Sequence, residues 1–430
     1  MPAPIITFYS YKGGTGRSMS LANAAWILAS NGLRVLAMDW DLEAPGLHRF
    51  FHPFLPDRDL RTSSGVIDLM WEFATAAVDP EGPAGPDWYE KLARVAPYTV
   101  SVEHPFPGAG TVDLVPAGRQ DASYAALVST FDWGNFYDRL GGGQFLEALK
   151  RDVRDRYDYV LIDSRTGLSD TAGICTVQLP DILVNCFTFS TQSIDGAAAV
   201  AASIHRQRRG DQLRLFPVPM RVEDGEQSKL DAGRDYARKR FGRYLSHLPD
   251  PERYWGEVEV PYKSFYAYEE VLATIGDRPL QENTILAASE RIVAYLTDGR
   301  VTGLAAPPTE AERRTLLARY AREGGPAPWS AAVSGSARRA RGSSSRSPTT
   351  PPTTSSGSAS CGTSCGRPAS TPAWTSRRDS GEPTGATGSP PNYGPRISSS
   401  SWRRPRTGAR PRKARTGRHH ACSATRTVTT

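Results

Sequence analysis

The segment Ile5–Ser10 runs without a break into Tyr11-Lys12-Gly13-Gly14-Thr15-Gly16-Arg17-Ser18, and then into a stretch where Leu21, Ala25 and Leu28 recur at helical spacing. A strand that is largely apolar on both faces has to be covered on both faces. A helix that follows it at once, with a single apolar stripe, is the start of a crossover to a parallel neighbour. The turn between them carries chemistry of its own. Glycines let successive backbone N–H groups converge without a Cβ in the way, and the head of a helix adds partial positive charge. Such a turn suits phosphate oxygens. The plain alternative is a glycine-rich connection that only joins strand to helix; two cationic residues and a serine in register count against it.

The same alternation continues along the chain. Further strands are predicted at Arg34–Asp39, Thr111–Pro116, Tyr157–Asp163, Asp181–Phe189, Leu213–Met220 and Glu257–Val260. Helical patterns cover Phe145–Val153, Gly196–Gln207, Leu230–Tyr244, Tyr266–Ile275 and Gln281–Leu296. The Pro- and Gly-rich stretch Asp79–Pro107 reads as a surface excursion. The fold class this implies is α/β: three layers, a mostly parallel doubly wound sheet with helices on both faces, followed by a disordered tail. One domain spans residues 1–300, residues 301–330 read as a linker with a short helix over Glu310–Glu323, and residues 331–430 form the tail.

Composition sets the tail apart. From Ala331 to Thr430 there is no Leu, Phe or Met and one Ile, Ile397. Such a segment buries too little apolar surface to offset its ordering entropy. Sixteen Arg and one Lys there face only Asp379 and Glu382, a net charge of +15, whereas residues 1–330 carry −8. The overall +7 therefore belongs to the tail. A cationic tail of this kind binds nucleic acid weakly and without base readout, if at all. The abrupt loss of acidic residues and of nearly all Lys is also what a shifted reading frame in a GC-rich gene produces, and whether an effector domain was lost there stays open.

Cys175 and Cys186 lie in apolar surroundings and read as small core residues. Cys361, Cys365 and Cys422, with His419 and His420, have poor zinc-ligand spacing. Residues 1–11 lack a charged leader, and no run reaches the roughly 20 apolar residues of a membrane span. A cytoplasmic location without a membrane partner is the expectation.

Other polar residues fall at strand ends. Asp39 and Asp41 close the second strand, and Asp163 closes Tyr157–Asp163, followed by Ser164-Arg165-Thr166-Gly167. Carboxylates beside a phosphate cradle suit a Mg²⁺ site: Ser18 would offer its hydroxyl to the ion, and Asp41 and Asp163 would support it, partly through water.

The run Lys12–Ser18 resembles the deviant Walker A motif of the MinD/ParA class of P-loop ATPases, Lys-Gly-Gly-x-Gly-Lys-Thr/Ser. With Asp39-Trp40-Asp41-Leu42-Glu43-Ala44-Pro45-Gly46 it is similar to a variant subgroup that has arginine in place of the P-loop lysine. The resemblance covers about residues 3–300. It implies ATP and Mg²⁺ as cofactors, an ATP-dependent homodimer and an unidentified protein partner. Lys12 falls on the signature lysine that reaches the partner protomer's phosphates, and Gly13, Gly14, Thr15, Gly16, Arg17 and Ser18 on the phosphate loop. Asp41 falls on the switch residue that orients the attacking water, and Gly167 on a second switch glycine. Arg165 departs from the pattern and is either an arginine finger acting in cis or the partner of a switch carboxylate. Arg221 matches a base-proximal position where Met220 does not, and Pro261 and Tyr262 resemble the loop flanking the base. Adenine preference over guanine therefore rests on the resemblance alone.

Arg17 is bulkier than lysine and aims its donors differently, so binding is expected to survive better than fast hydrolysis. The leading expectation is an ATP-binding, Mg-dependent ATPase acting as a nucleotide-switched dimer in a regulatory, signalling or partitioning system. A regulatory or scaffold module that binds nucleotide without hydrolysing it is the alternative. A bacterial-type tyrosine kinase is disfavoured because the tail offers only Tyr393. DNA binding would depend on the tail, and no terminal amphipathic helix suggests membrane targeting.

Overall fold

The structure is a computed structural model and describes residues 2–79, 81–82, 85–167, 170–208 and 213–320. Seven strands form one sheet: β1 (Ile5–Ser10), β2 (Arg34–Asp39), β3 (Val100–Ser101), β4 (Thr111–Val115), β5 (Tyr159–Asp163), β6 (Ile182–Phe187) and β7 (Arg214–Pro219). Their spatial order is β3-β4-β2-β5-β1-β6-β7, and every pairing is parallel except β3 with β4. Side chains alternate across a strand, so each strand feeds two cores. Val35, Ala37, Leu161 and Phe8 join the core that contains the helix Arg17–Ser30. Leu36, Met38, Val160 and Ile162 join the opposite one, with the helices Val66–Val78 and Gly142–Arg156. The doubly wound, three-layer class is what the structure has.

Six of the seven strand segments read from the sequence are strands. Glu257–Val260 is not. Glu257 ends a helix, Pro251–Glu257, that Asp250 caps through Arg253 N–H, and the next residues make one parallel bridge, Val222 with Pro261. Pro261 has no N–H to extend a ladder, and β7 carries Pro217 and Pro219 as an edge strand can. The predicted helix Tyr266–Ile275 is broken into Phe265–Tyr268 and Ala273–Gly276. Val271 to Ile275 are buried one after another, a run that no single helix face accommodates.

Asp79–Pro107 is more than a surface excursion. Ala93, Val95, Tyr98 and Val102 are buried, and β3 adds an antiparallel edge strand. The helix Glu310–Ala318 is closed at its start by a reciprocal Thr309–Glu312 cap. Leu317 within it and Tyr320 just beyond it are buried, and the Tyr320 hydroxyl donates to the Phe50 carbonyl at 2.8 Å. Residues 301–320, expected as the start of a linker, therefore pack on the domain. The expected tail, with its cysteines and histidines, lies outside the described residues. Cys175 and Cys186 are buried free thiols. Among the described residues no helix is long and apolar enough to cross a membrane.

Candidate phosphate site

The loop between β1 and the helix Arg17–Ser30 turns on two glycines in the left-handed region, Gly14 (φ 71°) and Gly16 (φ 94°). A Cβ at Gly16 would also stand 3.2 Å from the Met220 methyl. Met220 is buried, so the residue that departs from the base-recognition pattern supports the loop instead. Ser20 N–H donates to the Gly16 carbonyl at 3.0 Å and starts the helix.

Arg17 is only 5% exposed. Its Nε donates to Asp163 Oδ1 and its Nη2 to Asp41 Oδ2 at 2.9 Å. Asp163 is fully buried and Asp41 nearly so. Burial works against the Arg17 charge, but Asp163 and Asp41 outweigh it and hold its pKa above the ordinary value. Burial likewise pushes the Asp163 carboxyl up, against the downward pull of Arg17. At this centre three buried polar atoms have no hydrogen-bond partner: Thr15 Oγ1, Arg17 Nη1 and Asp163 Oδ2. A buried polar group without a partner costs about 1–3 kcal/mol, more when charged. At the head of a helix, two such donors call for an acceptor.

Register explains how the carboxylates meet. In the parallel ladder of β2 with β5, Asp39 stands opposite Asp163. Asp39 was given no role from sequence, yet it organises the following loop. It accepts Gly46 N–H and Leu47 N–H at 3.2 Å and Asp41 N–H at 3.1 Å. Its carboxyl sits well above the usual range, through burial first and then repulsion from Asp163 and Asp41.

The remaining sequence-predicted residues gather around this centre. Lys12 Nζ donates to Gln192 Oε1, a partner the sequence did not reveal. Arg165 Nη2 pairs with Glu43 Oε2 at 2.5 Å, joining the loop after β5 to the loop after β2. Gly167 adopts φ 76°, and its N–H leans on the Ser10 carbonyl at 3.4 Å while its own carbonyl accepts the Tyr9 hydroxyl at 3.0 Å. Arg221, itself left-handed (φ 56°), donates to the Gly14 carbonyl at 2.8 Å and stacks 4.8 Å over the Tyr262 ring. Pro261 and Tyr262 reach this place through the bridge to Val222. Of the three residues expected near the base, Arg221 touches the loop and Tyr262 stacks on Arg221. Ser18 is half-buried, with its hydroxyl beside Asp163.

Two of the three expected magnesium donors, Asp41 and Asp163, are turned to the Arg17 guanidinium instead. Asp41 Oδ2 and Asp163 Oδ1 are taken by Arg17, and among the described residues no group of three or more His, Cys, Asp or Glu is placed to hold a metal.

One pH effect follows from the helix Leu47–Phe51, just beyond this loop. Burial, then the charges of Arg49 and His52, press His48 down to about 4, and its Nδ1 is buried without a partner. Folded His48 stays neutral while the unfolded chain takes up a proton near the ordinary value of about 6.5. Stability is therefore fully present above about 6.5 and is lost as pH falls toward 4, by at most about 3 kcal/mol from this residue. Chemical denaturation from pH 7 to 4 should show a slope that His48→Gln flattens; equal slopes for the two proteins would contradict it.

No family model matches the chain, and no curated protein does. Among solved structures, a ParA family ATPase from Chlorobium tepidum aligns at 17% identity over 68% of this chain and 98% of its own, with a TM-score of 0.44. The cell division ATPase MinD of Pyrococcus furiosus aligns at 17% identity over 68% and 98%, with a TM-score of 0.42. The pNOB8 ParA bound to nonspecific DNA aligns at 13% identity over 69% and 100%, with a TM-score of 0.45.

Proposed function

We propose that this chain binds a nucleoside triphosphate in the loop Lys12–Ser18, ATP being the ligand its motif resemblance implies, and acts as a nucleotide-switched regulatory protein. The observation that carries this reading is the pair of buried, unpartnered donors, Thr15 Oγ1 and Arg17 Nη1, at the head of a helix entered through a glycine turn. Phosphate oxygens answer both donors together with the loop amides. The readout would come from the loops after β2 and β5. Asp39 holds the first and the Arg165–Glu43 pair ties it to the second, so a ligand that draws either one changes both. A homodimer closing over the phosphates, with Lys12 leaving Gln192 to reach across, and a protein partner reading the closed form complete the proposal.

Titration calorimetry with ATP, ADP and AMP tests it. ATP and ADP should bind and AMP should not, because the cradle recognises a polyphosphate; no heat with ATP or ADP would remove the reading. Size-exclusion chromatography with ATP tests the dimer separately.

A second reading, binding without turnover, is favoured by a specific contact. Both carboxylates that hydrolysis would employ are already committed to Arg17. Phosphate release no faster than that of Lys12→Ala, beside intact affinity, would select it.

A further inference from the structure

We propose that Arg17 takes the place of the divalent cation, so that the cradle binds a nucleoside di- or triphosphate free of metal. This inference rests on the nucleotide reading above and deepens it. A metal ion in such a site does two things: it neutralises buried carboxylates, and it offers positive charge to the phosphates. The guanidinium already does the first, with Nε on Asp163 and Nη2 on Asp41. Nη1 remains for the second, buried and without a partner.

The chemistry of what is left open decides between ion and anion. Asp163 Oδ2, the one buried acceptor left open at this centre, has the Ser18 hydroxyl beside it to donate, and Nη1 is a donor attached to a permanent cation, which attracts a phosphate oxygen and repels a metal ion. The neighbouring Thr15 hydroxyl is also buried and unpartnered, and can donate to the same group. The third carboxylate nearby, Asp39, is turned to the amides of Asp41, Gly46 and Leu47 and has no call for an ion. Among the described residues no set of three or more acidic, His or Cys side chains is arranged for one. A guanidinium bonded on two edges is also fixed in place before the ligand arrives, which lowers the ordering cost of binding.

The experiment is calorimetry of the full chain with ATP and with ADP, in excess EDTA and in excess magnesium. The expected result is a Kd that agrees within about threefold between the two buffers. Arg17→Lys should behave differently. Its three donors sit on one nitrogen, whereas the guanidinium spreads its donors over three, so the ammonium cannot span both carboxylates and the phosphate at once and magnesium should tighten its binding at least about tenfold. Tightening of the unaltered protein by magnesium of about tenfold or more overturns the inference and leaves the nucleotide reading standing. Absence of binding in both buffers overturns both. An Arg17→Lys protein that binds well and ignores magnesium also overturns the inference. Should that variant fold poorly, the two-buffer comparison on the unaltered chain decides alone.

Discussion

Replacing Arg17 with methionine is expected to destabilise the ligand-free domain by about 3–5 kcal/mol, because it leaves buried carboxylates without their cation. For a domain of this size, that is a fall in melting temperature of roughly 5–15 °C. The reasoning turns on burial. An exposed ion pair contributes about 0–1 kcal/mol and would not be missed. Here Asp163 is fully inside, Asp41 is 7% exposed and Arg17 is 5% exposed. Methionine fills much of the same volume, so the loss is mainly electrostatic rather than a cavity. A comparison of variants separates the two causes. Arg17→Met placed on a background of Asp41→Asn and Asp163→Asn should cost far less than Arg17→Met alone, since the carboxylates left behind carry the penalty. A single-variant cost below about 1 kcal/mol, or equal costs on both backgrounds, would show that this cluster does not hold the site together.

That cluster also shows where sequence reading stops. The loop from Lys12 to Ser18 was legible because strand, glycines and helix are adjacent in the chain and each has a local physical cause. β2 and β5 were legible for the same reason, as near-continuous apolar runs. The partners of Arg17 were not. Asp41 and Asp163 are identifiable as strand-end carboxylates, but only the β2–β5 register brings Asp39 opposite Asp163 and closes the group on Arg17. Composition could not tell a cation held by carboxylates from one aimed at phosphate. Arg165 illustrates the same limit: two roles stood open, and the structure shows the ion pair with Glu43.

The misread elements have local causes too. Glu257–Val260 is β-rich in composition, yet Pro251 and the Asp250 cap start a helix that runs into it. Tyr266–Ile275 has helical spacing at its ends, but its far end is pinned separately: Thr274 N–H, in the short helix Ala273–Gly276, donates to Asn23 Oδ1 at 3.1 Å and ties it to the first helix. The helix Val66–Val78 went unread beside strands of stronger signal. Its start is marked by Gly65, whose missing Cβ would lie 2.0 Å from the Pro116 carbonyl, and by Asp68 accepting Gly65 N–H. Met220 departs from the base-binding pattern, and its packing under Gly16 gives that departure a structural reason.

Gly13→Val is expected to separate ligand binding from folding more cleanly than any change at Arg17. A Cβ at Gly13 meets no protein atom within 4 Å, and the residue does not adopt a positive φ. Stability should therefore change by less than about 1 kcal/mol. The space that looks empty to the protein is the space a polyphosphate would fill, where the backbone must approach its oxygens closely. A branched side chain there should weaken ATP and ADP binding at least about tenfold while the melting temperature of the ligand-free protein stays put. The two readouts answer different questions. Unchanged affinity would mean that the glycine turn only connects β1 to its helix, whereas a large loss of stability would mean that the loop packs against something the ligand-free fold needs. Weakened binding on an intact domain is the result that the open geometry at Gly13, set beside the buried donors of Thr15 and Arg17, leads one to expect.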